Sequence, residues 1–203
     1  MGRAYGPGAL CYSRKITRRP PSAVLLMAAL AVAALGVTAC GTSTVGTSPT
    51  VAGPRPRVPL PAGRNPSTIS RQVCSAQARS DIDQVLGVTA TVETPTWVDH
   101  LYSCVYRYRD GSMVLSVKEL SSWSETKAYF AGLGRQMGDI GSLGNLGQGA
   151  FTTSDGSVVV RKDWKVLLVD IAGLPPQFGV PPTSKADIAD TVSDVILGCW
   201  AGD

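Results

Sequence analysis

The sequence predicts an α+β domain: an antiparallel sheet with packed helices in the order α-β-β-β-α-β-β-β-α, set behind a signal peptide and a disordered tether. Three observations predict it. Residues Leu101–Tyr108 alternate, with Tyr102, Cys104, Tyr106 and Tyr108 on one face and Leu101, Ser103, Val105 and Arg107 on the other, which is the period of a half-buried strand. Two other segments carry helical stripes: Trp123, Phe130, Leu133 and Met137 at spacings of 7, 3 and 4, and Ile188, Val192, Val195, Ile196 and Cys199 at 4, 3, 1 and 3. Asp110-Gly111 and Asp155-Gly156 are turn signals between apolar runs.

Taken in order, Arg71 to Leu86 is one or two short helices, with Ser80 and Asp83 in capping-box spacing and Gly87 as the stop. Val88 to Glu93 reads as a strand, followed by 101–108 and, beyond the turn, Met113 to Leu120. Ser121 or Ser122 caps a helix running to about Met137. A Gly-rich connection spans 138–149. Ala150–Thr153, Ser157–Arg161 and Lys165–Ile171 are three further strands, with Lys162-Asp163 in the second turn. The loop 173–182 is irregular because its prolines donate no hydrogen bond. Thr183 or Ser184 opens the last helix. The two halves read as weak repeats of one αβββ unit, with helices packed on one face of the sheet.

Before the domain lies an address. Residues 1–22 hold Arg3, Arg14, Lys15, Arg18 and Arg19 and no acid, and a 13-residue apolar run, Ala23 to Leu35, follows. A spanning helix needs roughly 20 apolar residues, so the layout is that of a secretory signal. The run ends in Val37-Thr38-Ala39-Cys40, which resembles a bacterial lipobox. That resemblance implies cleavage after Ala39, a diacylglyceryl group on the Cys40 sulfur and an acyl chain on its amino group. Two or more long chains anchor stably where one is marginal. Arg18-Arg19 is followed by Pro20-Pro21 rather than a bulky apolar residue, which favours Sec over Tat export.

The organisation expected is therefore a lipoprotein signal at 1–39, lipidated Cys40 with a Pro/Gly/Ser/Thr linker at 40–69, and one globular domain at 70–203. The linker is too polar to offset its ordering entropy. The whole chain carries 19 Lys and Arg against 15 Asp and Glu, with a net charge of +4. Removing the five basic residues of 1–39 leaves 14 against 15. The positive balance belongs to the export signal, and no nucleic-acid partner is expected.

Within the domain, Cys74 opens the first helical segment, Leu86-Gly87 closes it, Cys104 lies in the second strand, and Leu146-Gly147-Gln148-Gly149-Ala150-Phe151 leads into the second half. Together these resemble small secreted lipoproteins of actinobacteria, of a mycobacterial-type domain-of-unknown-function family, over roughly 70–200. Cys199 departs from the simplest form of that pattern. Five cysteines reduce to three in the exported domain, in an oxidising compartment. Three cannot all pair internally. A Cys74–Cys104 bridge is favoured, worth about 3–4 kcal/mol in the chain-entropy model, with Cys199 a buried apolar residue of the last helix. Cys74–Cys199, tying the terminal helices, stays open.

Chemistry-bearing motifs are scarce. No Gly-x-Ser-x-Gly, Cys-x-x-Cys, His-Glu-x-x-His or Gly-Lys-Ser/Thr loop is present; Ser142 has Ile140 two residues before it. Gly141, Gly144, Gly147 and Gly149 lie between a helix and a strand, the reverse of a phosphate cradle. His100 is the sole histidine, beside Asp99, and reads as polar turn chemistry. Asp81 and Asp83 point to different helix faces. Tyr102, Tyr106 and Tyr108 form an inward sheet stripe rather than a stacking platform. No catalytic, cofactor or metal residue is assigned. The expectation is a non-enzymatic binding or interaction module on the extracytoplasmic face of the cell membrane, held by lipid on Cys40 and meeting an envelope protein or small envelope molecule. The alternative is a lipid or glycolipid carrier, which needs an internal apolar cavity of several hundred Å³.

Overall fold

The computed structural model describes residues 59–200. The signal segment, Cys40 and the linker up to 58 lie outside the described residues. The α+β class holds. Two short helices, α1 (Thr68–Gln72) and α2 (Ala76–Leu86), precede strands β1 (Thr91–Val92), β2 (Thr96–Val98), β3 (Leu101–Tyr108) and β4 (Gly111–Glu119). Helix α3 (Trp123–Met137) leads to β5 (Asp139–Ser142), β6 (Ala150–Thr153), β7 (Val158–Lys162) and β8 (Lys165–Asp170). A small ladder, β9 (Gln177–Phe178) with β10 (Thr183–Ser184), precedes α4 (Lys185–Cys199).

The main sheet has the order β1-β3-β4-β8-β7-β6-β5, with β2 also on β3, and every pairing is antiparallel. The central pair is β4–β8, the last strand of each half. The strand pattern is therefore mirrored about the middle of the sheet, but the αβββ repeat does not extend to the helices. Helices α1, α2 and α4 cover the face carrying Cys104, Tyr106, Leu115, Val160 and Leu167. Helix α3 covers the other face, where Phe130, Leu133 and Met137 pack on Phe151, Val159 and Val166. The expectation of helices on one face is corrected, and the reason is local. Val158, Val159 and Val160 are consecutive and all buried, so this part of the sheet is apolar on both sides and requires two covers.

Serines start each helix. Ser67, Ser75, Ser122 and Ser184 each accept a backbone N–H of the first turn, satisfying an otherwise orphaned donor. The cap of α2 is thus Ser75 rather than Ser80, and Asp83 instead accepts Ala90 N at 2.9 Å. Gly87 and Gly138 end α2 and α3 in the left-handed region.

Turns differ from expectation by a residue. Between β7 and β8 the two free positions are Asp163 and Trp164, φ 48° and 59°, and between β2 and β3 they are Asp99 and His100, φ 49° and 59°. Both are two-residue turns with positive φ at both positions. In the β3–β4 hairpin Gly111 pairs with Tyr108, leaving Arg109-Asp110 as the turn.

Candidate functional site

Cys40 lies outside the described residues; the residues singled out within the domain each have a definite place. Cys74, just after α1, is disulfide-bonded to Cys104 at the centre of β3, Cα–Cα 5.9 Å. Next to it, buried Tyr106 donates its hydroxyl to Val73 O at 2.6 Å. The α1–α2 corner is therefore fastened to the sheet twice. With Cys74 committed, the Cys74–Cys199 pairing is excluded. Cys199 is half-buried at the end of α4, packs against the core and is engaged in an interaction of its own, so it is not a lone apolar thiol.

The tyrosine stripe faces the core. Tyr106 and Tyr108 are held well above the ordinary phenol range by burial and secondarily by the Asp83 charge. Tyr108 stacks edge-on against Phe178 at 4.8 Å. Asp81 is buried and accepts Gln77 Nε2 at 2.8 Å, while Asp83 holds Ala90, so the two carboxylates have separate partners. His100 is exposed at a turn tip, its Nδ1 3.1 Å from Gly63 O and its ring edge-on to Trp97 at 5.7 Å.

Only the second half of the glycine run is packed against the sheet; Gly141 and Gly144 face open space. Asp139–Ser142 forms β5, and Gln148 N donates to Arg161 O while Arg161 N donates to Gly149 O, both at 2.8 Å. A Cβ at Gly147 would lie 2.7 Å from Arg161 O, and one at Gly149 2.9 Å from Arg161 Nη2. At Gly147 close approach to the β7 backbone requires glycine, whereas at Gly149 the near atom is the movable end of Arg161 and it is the φ of 153° that disfavours a side chain.

Two arrangements were not legible as sites. The Arg161 guanidinium stacks 4.3 Å from the Trp123 ring and 5.4 Å from Phe130, and donates to Gln148 O at 2.6 Å. Beside it, between α3 and β5, an open cleft of about 510 Å³ has Phe130 and Phe151 in its floor, ring centroids 4.9 Å apart, and Arg135 and Asp139 at its lip. The helical stripe predicted Phe130 but not β5, whose first residue, Asp139, lines the cleft opposite α3 together with Phe151 of β6. The cleft is open to solvent rather than enclosed between sheet and helices. It can hold an apolar group over the two rings, with a polar group meeting Arg135 or Asp139. Among the described residues no group of three or more His, Cys, Asp or Glu side chains is placed to hold a metal ion.

Comparison with protein-family models, with curated proteins and with solved structures finds no match for this chain.

Proposed function

We propose that this chain is a lipoprotein of the extracytoplasmic face of the cell membrane, anchored through Cys40, whose domain is a non-enzymatic binding or interaction module of the cell envelope. The observation that carries this reading is the ordered succession of a basic segment, a 13-residue apolar run and Val37-Thr38-Ala39-Cys40. The Cys74–Cys104 disulfide supports it independently, since such bonds persist in oxidising compartments. Among the described residues no helix is long and apolar enough to cross a membrane. Labelling cells with a palmitate analogue tests it. The wild-type chain takes the label and fractionates with membranes, and Cys40→Ser takes none. A wild-type chain without label would remove the anchor from the account.

A second reading, a carrier of an envelope amphiphile, is favoured by the Phe130–Phe151 cleft. An open cleft of this kind holds one apolar chain against a surface rather than enclosing it. Native mass spectrometry of protein purified from its host checks this reading, which predicts a co-purifying amphiphile displaced by Ala131→Trp. A bare protein mass would contradict it.

A further inference from the structure

We infer that the end of the sheet at which the chain arrives is a membrane-contact surface, seated on the anionic phospholipid bilayer to which Cys40 is anchored. The inference rests on the lipoprotein reading above and adds to it which face meets the lipid.

The chain reaches the sheet at one end. Ala62 N donates to Leu120 O at 3.2 Å, and Arg64 O accepts Trp97 Nε1 at 2.9 Å. Between Cys40 and these residues lie about 20 positions, which span at most about 70 Å fully extended. A lipid on Cys40 therefore leaves this end within reach of the bilayer.

All four tryptophans of the chain gather at that end. Trp97 lies in β2 beside the first residues of β3; Trp123 opens α3 directly after β4; Trp164 is the second residue of the β7–β8 turn; Trp200 caps α4, its carbonyl accepting Lys162 Nζ. Trp200 is buried, whereas Trp97, Trp123 and Trp164 keep part of their surface outside. Exposed apolar residues occur at both ends: Leu60 (80% exposed) and Val98 (63%) belong to this one, Ile140 (68%) and Val180 (65%) do not, so it is the indoles that distinguish this end. Indole prefers the bilayer interface, where its ring is apolar and its N–H is wet.

The turn chemistry points the same way. Both tight turns here, Asp99-His100 and Asp163-Trp164, need positive φ at both positions, for which Asp-Gly is the preferred pair. A bulky aromatic in the second position is costly, and such strain clusters where a side chain has a role beyond folding.

Charge is polarised along the strands. Arg64, Lys118, Lys127 and Lys162 have exposed surface at this end, against Asp99, Glu125 and Asp163; the opposite end holds Asp110, Asp139, Asp155, Asp170, Asp187 and Asp190 against Arg107, Arg109, Arg135 and Lys185, so the balance is positive at the first end and negative at the second. An anionic surface attracts the first end and repels the second. The exposed apolar area is small, so the contact is weak by itself. The tether supplies the effective concentration that makes it populated.

The test uses the mature lipidated chain in phosphatidylglycerol-containing vesicles with brominated acyl chains, which quench indoles at the interface. The inference predicts that vesicle-bound protein loses about half to three quarters of its tryptophan emission at full quenching, because two or three of its four indoles lie at the contact. Raised salt reverses part of that loss. Val98→Asp, at an exposed position, and Trp164→Gly, which suits the turn, both reduce quenching while far-ultraviolet circular dichroism stays native. Protein that floats with vesicles and carries lipid mass, yet is unquenched, overturns the membrane-contact surface and leaves the anchor standing. So does emission that responds to protein concentration rather than to bromolipid, which would seat a second copy there. An unmodified Cys40 mass overturns the anchor, and the surface falls with it.

Discussion

Glu119 shows how one side chain ties the beginning of the domain to its centre. It is 5% exposed, and its Oε1 accepts Ser67 N at 2.7 Å and Ser70 Oγ at 2.5 Å. Removing one donor to a buried carboxylate leaves it under-solvated. Ser70→Ala is therefore expected to cost about 1–3 kcal/mol in urea unfolding; an unchanged midpoint would contradict the role given to this contact. Asp190 is the opposite case. Burial first, then the charges of Asp194 and Asp187 on the same helix, raise its pKa. A raised acid favours folding below its unfolded value of about 3.9 and disfavours it once ionised. Asp190→Asn should accordingly stabilise the fold at pH 7 by about 0.5 kcal/mol, as for relief of like-charge helix pairs, with no gain at pH 3. Thermal melts at the two pH values check this. Asp155 has the reverse sign: burial opposes ionisation, but hydrogen bonds from Thr153 and Ser157 and the Lys185 charge outweigh it and lower its pKa. Its contribution is present at neutral pH and fades as pH falls through the depressed value.

At the scale of the element, α3 carries two glycines in its interior, and their surroundings differ. A Cβ at Gly132 would meet only Arg135 Nη2 at 3.9 Å, whereas one at Gly134 would reach Asp139 and Phe151. Gly132→Ala should thus gain the full helix-propensity difference, about 1 kcal/mol, read as a higher urea midpoint; a lower midpoint would show that α3 is constrained there by something other than its backbone. The strands that were legible in the sequence, 101–108 and 150–153, have a buried face and alternate or run apolar accordingly. Those that were not are β2, β5 and the short β9–β10 ladder, whose first strand falls in the loop 173–182 that its prolines mark as irregular. All four β5 residues are exposed, so no burial pattern marks it, and only backbone pairing at the sheet edge makes it a strand. Its absence from the sequence reading is also why the cleft against α3 was invisible. The helix stripe of α3 was legible, but not the face it would cover. That depended on reading Val158-Val159-Val160 as a strand buried on both sides.

For the whole molecule, the sheet separates two jobs. One face and its helices hold the larger core and the Cys74–Cys104 staple. The strand direction orders charge and tryptophan from one end to the other. Neither distribution is a motif along the chain, because the contributing residues are far apart in sequence and meet only through antiparallel pairing. The proposed anchor, by contrast, rests on a signal that is entirely local in sequence, the residues leading to Cys40. On the proposed reading, Cys40 begins the mature chain and bears its lipid. Intact-mass and amino-terminal peptide analysis of the protein isolated from its host tests that most directly. The expected product is a chain starting at Cys40, 164 residues long, with the added mass of a diacylglyceryl group. A mature chain that starts elsewhere, or a Cys40 peptide of unmodified mass, would contradict it.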